Sequence, residues 1–147
     1  MGSYTAPSSP RTAFVDTSWF KAYVDERDEH HKQARNLMDG VAAKELTVKN
    51  LVTSDYVLDE SITLIRLAHS HLKATEFGRT TVNSRLVKVF YVGEEIFLES
   101  LDLFERSKDK DWSFTDCTSF ILMKRTGVSQ AFAFDPHFEQ AGFHMLP

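Results

Sequence analysis

Two short segments of the chain end alike, with Ala13-Phe14-Val15-Asp16 and Phe132-Ala133-Phe134-Asp135 each running from apolar residues into a carboxylate. A strand that delivers Asp at its carboxyl end places an acid where α/β sheets bind ligands, outside the strand ends where connections diverge. Asp is also common where strands give way to turns, because its side chain bonds nearby backbone amides. Neither segment decides the matter alone. Glu60 is more telling: at about 100° per residue it falls between Leu67 and Leu64, within the arc of Val57, Leu64, Ala68 and Ile65. Its neighbour Asp59 falls outside that arc, beside Arg66. A carboxylate on a core-facing stripe carries a desolvation penalty unless it bends out to water or a positive partner compensates it. Asp116 lies three residues after Ser113, a spacing that an acidic capping arrangement explains. The same wheel sets Asp116 between Met123 and Phe120, on a side the helix should bury, although Lys124 blurs that stripe.

Four acids converging on one pocket would repel one another severely without cations. Mg²⁺ or Mn²⁺ suits such a site, since hard cations prefer oxygen ligands and keep several waters when few carboxylates bind them. Ions held this way activate water and stabilise the leaving oxygen in phosphodiester hydrolysis. No serine or cysteine nucleophile is required.

The elements that must position these acids follow from periodicity and punctuation. Thr12 to Val15 is a short strand, after which Thr17 or Ser18 caps a helix from about Ser18 into the Arg35 to Met38 stretch, in one or two pieces, with Gly40 as a natural stop. Leu46 to Val52 is expected as the second strand, and Thr53 or Ser54 as the cap of a helix reaching about His69. Ala74 to Leu86 is a further helix, Val87 to Val92 a strand, and Glu94 to Ser107 a helix with Ile96, Phe97, Leu101 and Phe104 at helical spacing. Ser113 opens the helix that ends near Gly127, Gln130 to Phe134 is a strand, and Phe143 to Leu146 an added edge strand. Strands separated by helices predict an α/β fold with a mostly parallel sheet, helices on both faces and right-handed crossovers.

The chain has 147 residues, enough for one domain with a substantial core. Residues 1–10 are small, polar and proline-containing and are expected to form a mobile tail, leaving 11–147 as the domain. No apolar run is long enough to span a membrane and no signal sequence is evident. The single cysteine, Cys117, excludes an internal disulfide and a cysteine-rich zinc site and is compatible with a reducing cytoplasm. A net charge of −4 argues against nonspecific coating of nucleic acid, so any polyanion site must be local.

The residues also carry a family resemblance. Phe14-Val15-Asp16-Thr17-Ser18, Asp59-Glu60-Ser61, Ser113-Phe114-Thr115-Asp116-Cys117 and Phe134-Asp135-Pro136-His137-Phe138 resemble the successive acidic motifs of PIN domains in order and spacing. The last two, with Gln140-Ala141-Gly142-Phe143, are similar to prokaryotic toxin ribonucleases of the VapC type. The resemblance spans nearly everything from Thr12 to Leu146. It implies a three-layer α/β/α fold around a parallel, roughly five-stranded sheet, and a metal-dependent endoribonuclease whose acids are Asp16, Glu60, Asp116 and Asp135. A hydroxyl before the third acid, Ser113 or Thr115, would support it. A homodimer and silencing by a cognate antitoxin are further implications. Two alternatives stay open: a non-catalytic RNA-binding or regulatory scaffold, and a housekeeping RNA-processing nuclease without an antitoxin.

Other residues are assigned more plainly. His30 and His31 are adjacent, so a helix points them apart and a solvated face is expected; His69 and His71 lack metal-ligand spacing. His137 should lie near the site without an assigned role, Asp111 should be a solvated loop charge, and Cys117 should pack in the core. Between Arg66 and Lys88 the cations Arg66, Lys73, Arg79, Arg85 and Lys88 face one acid, Glu76. Lys73, Arg79 and Arg85 are therefore expected to grip RNA phosphates.

Overall fold

The computed structural model describes residues 11–147, so the tail expected over residues 1–10 lies outside the described residues. The chain alternates strands and helices: β1 (Thr12–Val15), α1 (Thr17–Val24), α2 (His31–Ala42), β2 (Asn50–Ser54), α3 (Asp55–Ala68), α4 (His71–Val82) and β3 (Val87–Phe90). It continues through α5 (Glu94–Arg106), α6 (Phe114–Thr126), β4 (Gln130–Phe132), α7 (His137–Gln140) and β5 (His144–Leu146). All neighbouring strands pair in parallel, in the order β3-β2-β1-β4-β5. The sequence TAFV of β1 is apolar at every position after the first, as a strand covered on both faces requires.

The strand order creates the crevice. From central β1 the chain moves one way to β2 and β3, then returns across the sheet to β4 and β5 on the other side. Connections leaving β1 and β4 therefore diverge, and Asp16 and Asp135 follow these two adjacent strands. Helices α1 to α4 pack on one another, as do α5, α6 and α7, while α3 also touches α6. That last contact brings the Glu60 helix to the Asp116 helix.

Helix α6 shows why its apolar stripe is blurred in the sequence. Every residue from Asp116 to Met123 is buried, so the helix has no wet face until Lys124. Its polar members are absorbed locally: the Thr118 and Ser119 hydroxyls donate to the Thr115 carbonyl at 2.7 and 3.0 Å. Ser113 caps its start, and Gly127 at φ 70° ends it in the left-handed region that glycine enters without strain.

Several boundaries differ from the sequence expectation: the helix expected over Ala74 to Leu86 runs instead from His71, capped by Ser70, to Val82, and β3 ends at Phe90 rather than Val92. Gly40 does not stop α2, which runs on to Ala42; Lys44, at φ 60°, turns the chain instead. A Cβ on Gly40 would stand 3.2 Å from the Leu46 side chain, so this glycine serves close packing. Leu46 consequently belongs to the turn, and β2 starts at Asn50. Strand β4 ends at Phe132 rather than Phe134, although the Ala133 amide still donates to the Leu146 carbonyl at 3.2 Å.

Six of the 12 phenylalanines are buried, among them Phe14, Phe120 and Phe138 around one centre. The Phe138 ring centroid lies 5.0 Å from that of Phe120 and 6.3 Å from that of Phe14. Phe138 thus anchors the turn carrying Asp135 and His137. Truncation by Phe138→Ala is expected to cost about 3–5 kcal/mol, the usual range for a buried aromatic. Urea denaturation checks this, and a loss below about 1 kcal/mol would deny Phe138 that anchoring role.

Candidate active site

Asp16 is the residue after β1 and the N-cap of α1. Its Oδ2 accepts the Ser18 amide at 3.2 Å and the Ser18 hydroxyl at 2.7 Å. Ser18 Oγ in turn accepts the Phe134 amide at 3.0 Å, stitching the loop of Asp135 to that of Asp16. Asp16 is only 4% exposed. Burial pushes its carboxyl up from 3.8 to about 7 against the lowering effect of Ser18, and the nearby charge of Asp116 adds to the rise.

Asp116 lies at the third position of α6 and closes a capping box: its amide donates to Ser113 Oγ and its Oδ2 accepts the Ser113 amide, both at 3.0 Å. The capping explanation is thus correct, yet it does not exhaust the residue. The same Oδ2 stands 2.8 Å from Nδ1 of His137, which is also 3.2 Å from Oδ1 of Asp135. Asp135 Oδ1 accepts the His137 amide at 3.0 Å as well. Ligating atoms of Asp116, Asp135 and His137 all lie within 4.8 Å of one another.

Glu60 sits half-buried on α3, and burial raises its carboxyl above the usual range. The Thr115 and Thr17 hydroxyls pull it down, and the charges of Asp116 and Asp59 push it up. Thr17 Oγ1 is itself buried without a conventional hydrogen-bond partner. Asp116 is therefore the hub, with Asp16 and Glu60 meeting its field and Asp135 joined to it through His137.

Of the supporting hydroxyls, Ser113 holds the backbone of Asp116 and Thr115 acts on Glu60. Leu67, expected to flank Glu60, is 78% exposed, so the buried stripe of α3 runs through Val57, Leu58, Ser61 and Ile65 instead. Asp111 is exposed and Cys117 fully buried; burial pushes its thiol up to about 11, which keeps it un-ionised. Arg79 and Arg85 are exposed, and among the described residues no ion pair joins Lys73, Arg79 or Arg85 to the four acids. Lys73 lines a separate cavity of about 490 Å³ walled by Trp19, Tyr23, Arg35 and Phe77, near the last turn of α1 and the start of β3.

His137 is the site residue that sequence reasoning left without a role. The signal was Asp135-Pro136-His137: Pro136 starts α7 with a helical φ of −65°, folding the chain so that residue 137 turns back on Asp135.

The donor set suits a hard divalent cation. It consists of carboxylate oxygens with one imidazole and no thiolate. One oxygen of each Asp is held by a protein donor, which orients the carboxylate and presents the other. Asp16 stays protonated up to about 7 because only a hydroxyl and amides answer its buried charge. A cation would supply what is missing.

Fold and site together define a PIN domain: the PIN-domain family model matches residues 13–144, and the chain belongs to that family. Within it, the chain is 33% identical over 130 residues to the 23S rRNA-specific endonuclease VapC20 of Mycobacterium tuberculosis, covering 88% of this chain and 94% of that protein. It is 29% identical over 115 residues to a VapC ribonuclease of Archaeoglobus fulgidus, covering 75% and 69% respectively. The crystal structure of M. tuberculosis VapC20, described as a sarcin-ricin loop cleaving toxin, superposes with a TM-score of 0.81 at 31% identity, over 89% of this chain and 95% of that one.

The elevated Asp16 carboxyl sets a pH dependence. Its folded value, about 7, exceeds the ordinary 3.8, so its contribution to stability is fully present below 3.8 and is lost as pH rises through 7. Metal-free wild type should therefore lose melting temperature between pH 5 and 8 more steeply than Asp16→Asn. Millimolar Mg²⁺ should flatten the wild-type curve, because a ligand of the native state offsets the loss. Parallel curves for the two proteins in metal-free buffer would contradict this account.

Proposed function

We propose that this chain is a Mg²⁺- or Mn²⁺-dependent endoribonuclease that hydrolyses RNA phosphodiester bonds and serves as the toxin of a type II toxin–antitoxin pair. The observation that carries the reading is the cluster of Asp116, Asp135 and His137 at the crevice between β1 and β4, with the buried Asp16 and half-buried Glu60 within reach of the Asp116 charge. Similarity to VapC20, an endonuclease named for its rRNA substrate, supports the choice of RNA. The crystal structure's description of VapC20 as a toxin supports that role.

Asp16, Glu60, Asp116 and Asp135 would hold the cation, with His137 beside the last two. When bound, a divalent ion lowers the pKa of water and stabilises charge on the leaving oxygen. The residues of the chain prepare this chemistry. Ser18 fixes one oxygen of Asp16, the Ser113 amide fixes one of Asp116, and the His137 amide fixes one of Asp135, so the remaining oxygens are oriented before any ligand arrives. His137 Nδ1, between two carboxylates, is placed to hold a proton there and steady both side chains. Burial of Asp16 lowers the local dielectric and strengthens attraction for a cation.

A homodimer is part of the same proposal. Helix α5 exposes Phe97, Leu98, Leu101 and Phe104, a set of large apolar side chains on one element that a second copy would cover. Light scattering at tens of micromolar should give twice the chain mass; a monomer mass would remove this part. No helix among the described residues is long and apolar enough to cross a membrane. A cytoplasmic RNA substrate and a cognate antitoxin complete the reading.

The direct test is cleavage of RNA with and without Mg²⁺ or Mn²⁺. Asp16→Asn, Glu60→Gln, Asp116→Asn and Asp135→Asn should each lower the rate by at least about a hundredfold while circular dichroism shows the fold intact. Expression of wild type, but not of Asp16→Asn, should arrest growth. Full activity of two such variants in chelator-treated buffer would overturn the metal mechanism, and a growth-neutral active nuclease would favour a housekeeping role.

A further inference from the structure

His30, expected on a solvated helix face, lies elsewhere. Its ring stacks on Phe134 with centroids 4.3 Å apart and planes only 4° from parallel. Phe134 immediately precedes Asp135, and its amide donates to Ser18 Oγ at 3.0 Å, whose hydroxyl donates to Asp16 Oδ2 at 2.7 Å. The stacked pair is therefore one residue from one acid and two hydrogen bonds from another.

The imidazole is also held in place. Nδ1 lies 3.2 Å from Gln33 Oε1, Nε2 lies 3.3 Å from Glu29 Oε1, and the His30 amide donates to Asp28 Oδ1 at 2.9 Å. Each ring nitrogen faces an oxygen, of which a neutral imidazole can donate to one, and Phe134 covers one face, yet the side chain keeps 38% exposure. A planar ring backed by a second ring and still 38% exposed offers a surface for stacking.

Unpaired bases are recognised by stacking on aromatic side chains, His included, and this tolerates any base because every base has a π-face. A duplex base is already stacked between its neighbours and has no free face to offer. We propose that the His30–Phe134 stack is a platform on which an RNA base beside the scissile phosphate stacks. The inference rests on the ribonuclease reading above and deepens it by assigning a base-stacking subsite next to the acids.

The rival role for His30 is to tie the α1–α2 loop through its ring nitrogens, and substitutions separate the two. His30→Gln keeps polar atoms for Gln33 and Glu29 but has no ring, whereas His30→Phe and His30→Trp keep a ring and lose the polar network. For a platform, His30→Gln and His30→Ala should raise KM for a short single-stranded oligoribonucleotide on the order of tenfold, with kcat little changed. His30→Phe and His30→Trp should restore KM. The same order should appear in Kd for the RNA measured on Asp16→Asn protein, with a fluorescent base analogue at the cleavage position losing emission on stacking. Thermal melting and its response to Mg²⁺ should match the parent in every variant. Wild-type KM in both His30→Ala and His30→Gln, or failure of both ring-bearing variants to recover, overturns the platform while wild-type cleavage leaves the ribonuclease reading intact. Protein that binds this RNA without cleaving it removes the ribonuclease reading and leaves the platform to be judged on Kd. Protein that neither cleaves nor binds it removes both.

Discussion

Carboxylates gathered around the buried Asp116 are the constraint on which the rest of the structure turns. Burying one carboxylate without a counter-charge is costly, and placing others within its field compounds the cost. The fold tolerates this because each of the three aspartates is tied to the scaffold by hydrogen bonds from its own neighbourhood. Ser18 serves Asp16, Ser113 serves Asp116, and the amide of His137 serves Asp135. Asp16 answers the residual cost by holding its proton to about 7. The site thus combines a stable scaffold with the carboxylate donors a hard cation prefers.

Two layers of structure create that constraint. The sheet order places β1 beside β4, so Asp16 and Asp135 emerge from adjacent strands although 119 positions separate them. The contact of α3 with α6 then brings Glu60 within the field of Asp116. Neither layer suffices alone: strand ends supply two acids with no third, and the helices supply two acids with no crevice. Phe138, in contact with Phe14 and Phe120, locks the final turn against both.

Much of this was legible in the sequence because the signals were local and physical. An apolar strand ending in Asp, a serine three residues before an acid, and a glycine at a helix end each specify geometry within one turn. The order of strands and helices, and the placement of the acids at strand ends and on helices, followed from such signals, and the PIN resemblance set them in a family. What escaped was tertiary in origin. Gly40 marks a helix stop when only propensity is considered, but the approach of Leu46 is what requires it. The stripe of α3 appeared to include Leu67, which the fold leaves in water. His30 and His137 lacked recognisable ligand spacing because their partners, Phe134 and Asp116, lie 104 and 21 positions away. Counting cations between residues 66 and 88 gave a charge excess but no direction, and Lys73 came to line a cavity separate from the acids.

The order in which the acids occur along the chain carries a consequence for synthesis. A chain emerging from the ribosome supplies Asp16 first, Glu60 next and Asp116 after that, while the crevice needs β4 beside β1 before Asp135 can join them. No shorter nascent segment contains the complete acid set. For an enzyme that attacks RNA, the translating ribosome is therefore exposed to a finished site only after β4 has emerged. The same scattering means that a break anywhere between residues 16 and 135 separates at least one acid covalently from the others, so limited proteolysis would silence the nuclease wherever the fragments part.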